Sequence, residues 1–343
     1  MVSWVRARLP KPTPVFDAFW YLAGERQRLF RLRLGGALSQ TDDPILQVFK
    51  FTNAYRASDR TSQYLIRNVI YDKPRPWRDT FTRVLLFKLF NRIETWNMLE
   101  AYAGEISAKA FHEESFSEVL DQTLASGGRI YSAAYIMPSA VQFGAERKHL
   151  NHLRLLAHLL KTGADESVAK ATSLRDVFDF LLGTPSFGPF LAYQFATDLN
   201  YSPELCFPED HFVMPGPGAQ DGIAKCFVDP GDLSLPDIVR WTMETQEEQF
   251  ERRGIRFDDL WGRPLQLIDC QNLFCEVSKY ARAAHPEYPG RAGRTRIKQR
   301  FHPRPDPITA WYPPKWGLND RVSKWMKGAA SSRLTAPSGT GAT

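Results

Sequence analysis

Residues 181–195, LLGTPSFGPFLAYQF, indicate the fold class. They end one predicted helix, Leu174–Leu182, and lead through a glycine-bounded turn into another, Pro189–Leu199, which carries the small Ala192. Such a helix-hairpin-helix brings backbone N–H groups and a helix N-terminus to the surface, where they bind a nucleic-acid phosphate without reading a base. An ordinary αα-hairpin explains the pattern nearly as well. The predicted DNA-binding residues of this segment, 174–200, are Gly183, Phe187 and Gly188.

Further helices are predicted on both sides of this hairpin, because apolar residues recur at helical spacing. They cover Val15–Leu34, Thr61–Tyr71, Thr82–Tyr102, Ser115–Ser126, His149–Lys161, Pro236–Arg252 and Leu265–Ala283. Arg129–Met137 is the best candidate for a strand. The sequence therefore predicts a mainly α protein.

The charge of the chain is unevenly distributed. Its 343 residues are 43% hydrophobic and 24% charged, which excludes a mainly disordered chain, and their net charge is +6. Residues 291–343 hold eleven Lys and Arg against two Asp, so the preceding body is slightly acidic. We predict a Pro-rich N-terminal arm at 1–14, a helical catalytic domain at 15–290, and an irregular, basic, Pro/Gly-rich tail at 291–343.

The remaining composition favours a soluble, cytoplasmic protein with no membrane partner. The four cysteines form no CxxC pair, and no apolar run reaches the roughly 18 residues of a membrane-spanning helix. His149, His152 and His158 lie on a leucine-rich predicted helix, so we expect no metal site there.

Residues 208–219, PEDHFVMPGPGA, combine acidic residues with a Gly-Pro-Gly sequence. Gly216 and Gly218 allow the backbone to present consecutive N–H groups to an anion, although a tight turn explains them equally well. Asp210 just before them is a candidate general base.

Residues 267–280 form two neighbouring polar stripes on a predicted helix. Gln271, Cys275 and Lys279 make one stripe, and Asn272, Glu276 and Tyr280 make the other. A thiol, a carboxylate and an ammonium together suit the wall of a pocket, and a solvated helix face is the alternative.

Residues 51–63 place arginines beside amide and carboxylate groups. Arg56 and Arg60 are four apart, with Asn53 and Asp59 around them, and the arginine fork suits phosphate oxygens. A structural Arg56–Asp59–Glu94 network is about as well supported by these residues alone.

In this order, NAYRASDRTSQYLI, LFKLFNRIETW, the hairpin, DHFVMPGPGAQDGIAKCF and DCQNLFCEVSKY resemble the alpha-glutamyl/putrescinyl thymine pyrophosphorylases, amino acid:DNA transferases of thymine hypermodification. A related helical domain is fused to 5-hydroxymethyl-deoxyuridine DNA kinases. The hairpin also resembles that of helix-hairpin-helix DNA glycosylases, which implies a body of that fold and a catalytic aspartate some twenty residues on; Asp210 is 22 residues after Gly188.

The resemblance implies a double-stranded DNA substrate whose hydroxymethyluracil carries pyrophosphate, which an amine or amino acid replaces. An upstream DNA kinase supplies that substrate, since no GxxxxGK[ST] P-loop occurs here. Whether a divalent cation accompanies the pyrophosphate stays open. A flipped target base would stack near Phe187 or Tyr55.

Each candidate residue receives a role in this reaction. Asp210 or Glu276 is the base, and Cys275 adds to ring C6. Lys279 is a further catalytic residue. The residues predicted to bind the substrate and its pyrophosphate are Asn53, Arg56, Asp59, Arg60, Gly216, Gly218, Gln271 and Asn272.

Two other functions remain open on the sequence. One is a glycosylase that removes a modified thymine through Asp210, and the other is a non-catalytic DNA-binding module formed by the hairpin and the basic tail.

Overall fold

The computed structural model describes residues 4, 7–37, 40–135, 137–303 and 308–334. Parts of the predicted N-terminal arm and of the tail, residues 1–3, 5–6, 304–307 and 335–343, lie outside the described residues. The chain divides into two compact units, of which unit 1 comprises Met1–Asp59 with Pro215–Thr343, and unit 2 comprises Arg60–Met214. The range 15–290, predicted as one domain, therefore spans both units, because unit 2 is inserted into unit 1.

The described residues form fifteen α-helices and one two-stranded sheet, which confirms the mainly α fold class. In chain order the helices of the first half are α1 (Pro14–Leu34), α2 (Pro44–Val48), α3 (Arg60–Tyr64), α4 (Trp77–Phe90), α5 (Ile93–Ala103), α6 (Glu113–Ala125), α7 (Lys148–Lys161) and α8 (Ala164–Ala169). Those of the second half are α9 (Leu174–Leu182), α10 (Pro189–Leu199), α11 (Pro217–Cys226), α12 (Leu235–Glu244), α13 (Gln246–Arg252), α14 (Leu267–Ala284) and α15 (Asn319–Leu334). Short 3-10 turns occupy Arg56–Ser58, Val141–Phe143 and Pro314–Trp316, and a π-helical turn occupies Leu65–Ile70.

Helix α14 is the central element of unit 1. It packs against α1, α2, α11 and α12, and its Phe274 contacts Phe19 of α1 at 4.6 Å between ring centroids. Strand β1 (Lys11–Pro12) pairs antiparallel with β2 (Phe227–Asp229) beside this core. The N-terminal arm is therefore joined to the body at residues 11–13, where the Thr13 hydroxyl donates to the Lys225 carbonyl.

Helix α4 is the corresponding element of unit 2. Every residue from Thr80 to Phe90 is buried, because α4 is enclosed by α5, α7, α8, α10 and the π-helical turn. Its Arg83 is fully buried and donates to the carbonyls of Asn68, Val69 and Ile106, so one cation satisfies several buried backbone acceptors. Lys88 forms a second buried charge contact, 2.9 Å from Asp198 of α10.

Several predicted helices have the predicted bounds, and others are divided. The two hairpin helices match the predicted residues. The predicted helix at 82–102 is interrupted because Asn91 adopts a left-handed conformation (φ 50°), and that at 236–252 is divided at Thr245. The described residues of 129–137 form no strand, so that prediction was wrong; the backbone there is irregular, with Tyr135 at φ 55°.

The C-terminal stretch is irregular over 291–303 and 308–313, as predicted, yet it is held against unit 1. The Lys50 N–H donates to the Gln299 carbonyl, and the Phe301 N–H donates to the Val48 carbonyl. Tyr312 is fully buried, with its hydroxyl 2.8 Å from Ser58 Oγ. Beyond it, α15 is a helix that the sequence did not predict.

Candidate functional site

The polar stripe of α14 meets the loop that precedes the 3-10 turn at Arg56–Ser58. Glu276 is 8% exposed, and its Oε2 accepts a hydrogen bond from the Thr52 N–H at 2.8 Å. Lys279 donates to both Glu276 oxygens, at 3.0 and 2.8 Å, and its ammonium lies 4.5 Å from the centre of the Phe51 ring. Two segments predicted from the sequence, 51–63 and 267–280, are therefore joined by a charged and largely buried contact.

A second layer of contacts adds Asn53, Asp59 and Arg26 to this contact. The Asn53 N–H donates to Asp59 Oδ1 at 2.8 Å, and Asn53 Oδ1 accepts from Arg26 Nη2 at 3.0 Å. Arg26 Nε also donates to the Thr52 carbonyl at 2.8 Å, so a residue of α1 supports the whole loop. We call Arg26, Asn53, Asp59, Glu276 and Lys279 the unit 1 cluster.

The electrostatics of the cluster favour a carboxyl that titrates near neutrality. Desolvation raises the pKa of Asp59 to about 6; the Asn53 hydrogen bond opposes the rise, and the negative charge of Glu276 adds to it. Burial lowers the pKa of Arg26, against the attraction of Asp59 and Glu276. Asp59 uses Oδ1 for the Asn53 amide, so Oδ2 is the oxygen that can take a proton. A carboxyl with such a pKa is well matched to proton transfer near neutral pH.

The two arginines that the sequence assigned to pyrophosphate lie in different units, and only Arg56 lies next to the unit 1 cluster. Arg56 is 2% exposed, and its N–H donates to Asp269 Oδ1 at 2.8 Å, so it belongs to the core beside the cluster. Arg60 begins α3 in unit 2, 3.7 Å from Glu94. The 3-10 turn that holds Arg56 ends at Asp59, between the two arginines.

The Gly-Pro-Gly sequence lies at the start of a helix, α11. Gly216 is the N-cap of α11 and Pro217 its first residue, a position where the missing N–H and fixed φ of proline are tolerated. Gly218 faces α14, where an added Cβ would overlap Cys275 Sγ. Gly222, one turn later, is tighter still, since its Cβ would overlap the Phe274 carbonyl oxygen. The glycines therefore permit close packing of two helices.

Cys275 is a packed thiol. Desolvation, followed by the charge of Glu276, raises its pKa to about 11, so the protonated form prevails near neutral pH. Gln271 of the same stripe is 1% exposed, and Asn272 of the neighbouring stripe is half-buried. These positions suit packing beneath the cluster better than covalent catalysis.

The helix-hairpin-helix is present in unit 2, in the order that the sequence predicted. Gly183 ends α9 and Gly188 caps α10, and both are exposed. Phe187 between them is 6% exposed and packs edge-on against Phe195 at 4.8 Å between centroids, so it is a core residue. Tyr55 in unit 1 is likewise 1% exposed. Stacking of a flipped base on Phe187 or Tyr55 stays a prediction.

Asp210 lies in an irregular segment of unit 2, after α10. Its side chain is 52% exposed, and its Oδ1 is 3.6 Å from His211 Nε2. Upstream, Asn200 holds the segment through two hydrogen bonds with the backbone of Phe207. Asp210 therefore belongs to a different unit from the unit 1 cluster.

His152 of α7 has structural partners at both ring nitrogens. Nδ1 is 2.8 Å from the Tyr131 hydroxyl and Nε2 is 2.6 Å from the Pro138 carbonyl oxygen, and burial lowers its pKa to about 4. Within the described residues, no group of three or more His, Cys, Asp or Glu side chains has the arrangement of a metal site. Among those same residues, no helix has the length and apolar character needed to cross a membrane.

Sequence reasoning missed Arg26, whose side chain bonds both Thr52 and Asn53. Arg26 is one of four arginines in α1, with Arg28, Arg31 and Arg33, and no spacing distinguishes it from the others. Only the folded structure, which places Arg26 next to Thr52 and Asn53, distinguishes it from the other three.

Comparison with known proteins places this chain beside enzymes of DNA modification. Residues 13–290 match the family model described as "5-hmdU DNA kinase, helical domain". A relative, the 5-hmdU DNA kinase of Bacillus phage SP10, is 26% identical over 337 residues, which cover 91% of this chain and 51% of the relative. The chain thus spans about half the length of that relative. No solved structure matches significantly.

Proposed function

Because the chain belongs to the family of the 5-hmdU DNA kinase helical domain, we propose that it acts in thymine hypermodification of DNA, replacing the pyrophosphate of 5-(pyrophosphoryloxymethyl)deoxyuridine with an amine or amino acid. The relative's name contains 5-hydroxymethyl-deoxyuridine, the precursor of that substrate. These 343 residues contain no GxxxxGK[ST] P-loop, which favours a step other than ATP-dependent phosphorylation.

The observation that carries the proposal is the unit 1 cluster, which lies wholly within the matched residues 13–290. It combines a carboxyl of raised pKa with a second carboxylate and two cations, in a partly dry setting. Two carboxyls in unlike environments take different roles in proton transfer. The cluster supports a reaction in which a proton leaves one reactant while negative charge develops on another.

In the proposed reaction the amine nitrogen forms a bond to the exocyclic methylene, and the bond from that carbon to the pyrophosphate oxygen breaks. The electron pair leaves with pyrophosphate, which the conjugated pyrimidine ring assists. Asp59 Oδ2 takes the proton that the amine loses. The cations Arg26 and Lys279 stabilise the oxygens of the departing pyrophosphate.

Glu276 positions the cluster in this scheme. Its Oε2 fixes the Thr52 N–H, and both of its oxygens hold the Lys279 ammonium. Its charge also contributes to the raised pKa of Asp59. Removal of this carboxylate should therefore lower both the proton affinity of Asp59 and the order of the loop at Thr52.

The test is a transfer assay with DNA that contains pyrophosphorylated hydroxymethyluracil. The protein is mixed with this DNA and, separately, with glycine, glutamate and putrescine; the DNA is then digested and the nucleosides are weighed by mass spectrometry. We expect one amine to give a nucleoside adduct with stoichiometric release of pyrophosphate.

Three other results would contradict the proposal. Substrate that stays intact with every amine would show that the protein does not catalyse the transfer. Abasic sites would identify a glycosylase. Duplex binding without any product would indicate a DNA-binding module. Arg256→Gln is a suitable control variant, because the Arg256 side chain is 89% exposed and lies outside the cluster.

A further inference from the structure

A basic groove on unit 1 lies beside the start of α14. Its volume is about 440 Å³, and it is lined by Arg263, Gln266, Trp316 and Arg321 together with backbone and apolar atoms of their neighbours. The Arg263 guanidinium lies 4.0 Å above the Trp316 ring, which fixes the orientation of its donors. Arg321 of α15 is anchored to the same wall-forming loop, because its Nη1 donates to the Trp261 carbonyl at 2.8 Å.

The charge of the groove selects an anion. Both of its ionisable lining residues are arginines, and none of the described residues that line it carries a carboxylate. Three acids lie near the lining residues. Asp259 Oδ1 accepts from the Gly262 N–H at 2.7 Å, Asp269 accepts from the backbone N–H groups of Gln266 and Arg56, and Asp320 is exposed in the first turn of α15. Each planar guanidinium group can donate two parallel hydrogen bonds to phosphate oxygens. Two such groups on one small groove therefore suit a phosphate group.

The cations continue from the groove along α15. Arg321, Lys324 and Lys327 are exposed at three-residue intervals, whereas Val322 is 1% exposed and Trp325 packs against Trp261. Three such positions span about 9 Å of helix. A single free anion would need only the groove, but an extended polyanion can contact the groove and this row together.

We propose that the groove and the exposed row of α15 bind the phosphate backbone of DNA. The proposal rests on the proposed function only in taking DNA as the partner. It places the main DNA contact on unit 1 and not on the hairpin. The basic residues of α15 then bind DNA as a defined surface, and not only through non-specific electrostatic attraction.

The experiment measures binding of an unmodified 20-base-pair duplex by fluorescence anisotropy over a series of salt concentrations. We expect the double variant R263Q/R321Q to bind at least about 10-fold more weakly at low salt, and its slope of log K against log salt to fall by roughly 2. K324Q/K327Q, which alters only exposed side chains, should reduce the slope by a similar amount without affecting folding.

R256Q is the matched control, since it removes one exposed arginine of unit 1 away from the groove. Equal slopes for R256Q, R263Q/R321Q and K324Q/K327Q would overturn the proposal. So would tight binding of inorganic pyrophosphate that R263Q/R321Q abolishes while duplex binding is retained. Because the duplex is unmodified, failure of the transfer reaction would leave these slopes unchanged, so the two failures are distinguishable.

Discussion

The close approach of α11 and α14 predicts an unusual reversal in the effect of one substitution. In the wild-type chain, Gly218→Ala places a Cβ that overlaps Cys275 Sγ. Overpacking of this kind costs about 2 kcal/mol, and the higher helix propensity of alanine returns up to ~1 kcal/mol. The free energy of unfolding should therefore fall by ~1–2 kcal/mol.

Removal of the sulfur should change the sign of this effect. In a Cys275→Ala background, the next contact of the added Cβ is Cys275 Cβ at 3.3 Å, which a small shift accommodates. Gly218→Ala should then be neutral or stabilising by up to ~1 kcal/mol, so the coupling energy between the two positions is about 2 kcal/mol.

Urea unfolding of the four proteins of this cycle, followed by circular dichroism, measures the coupling directly. Gly188→Ala is the control, because no heavy atom lies within 4 Å of its added Cβ. A penalty for Gly218→Ala that persists in the Cys275→Ala background would refute the packing role. A loss of activity with unchanged stability would restore an anion-binding role for Gly218.

Three further substitutions test other parts of the structure. The Asp59 carboxyl has a pKa of about 6 when folded against 3.8 ordinarily, so it binds its proton more tightly in the native state, and its contribution to stability falls as pH rises from about 4 to 6. In Asp59→Asn the free energy of unfolding should fall by ~1–2 kcal/mol less than in the wild type over this pH range, after allowance for solvent screening. Urea midpoints that change equally with pH in both proteins would contradict this expectation. Lys88→Met should destabilise by about 3–5 kcal/mol because it leaves Asp198 buried without its cation, and Lys88→Met with Asp198→Leu should recover much of the loss; an additive double variant would argue against the pair. Tyr312→Phe should lower the thermal midpoint through loss of a buried hydrogen bond to Ser58 worth ~1–2 kcal/mol, whereas an unchanged midpoint would separate the C-terminal stretch from unit 1.

The sequence predicted elements well where one local signal was sufficient. Helices α9 and α10 have the predicted bounds because glycine and proline mark their ends and apolar spacing marks their faces. The predicted helix at 82–102 failed at Asn91, because both flanking segments are apolar and a single left-handed residue leaves no clear break in that pattern.

The candidate site was predictable in its parts but not in its assembly. Asn53, Asp59, Glu276 and Lys279 were all proposed from the sequence, and the structure brings them together through Thr52. Other predicted residues lie outside the cluster because they are buried in the core. A buried arginine such as Arg56 has the same local sequence pattern as an exposed one, so the sequence could not distinguish them. Gly-Pro-Gly was ambiguous for a similar reason, because proline at the first position of a helix also follows glycine in tight turns.

The most direct test of the central claim compares Asp59→Asn with Asp210→Asn in the transfer assay. If Asp59 accepts the proton of the amine, Asp59→Asn should lower kcat by about 100-fold or more, and Asp210→Asn, in unit 2, should stay within about 3-fold of wild type. The wild-type rate should also rise as pH increases through about 6, where Asp59 loses its proton. A full rate for Asp59→Asn together with an inactive Asp210→Asn would contradict the account.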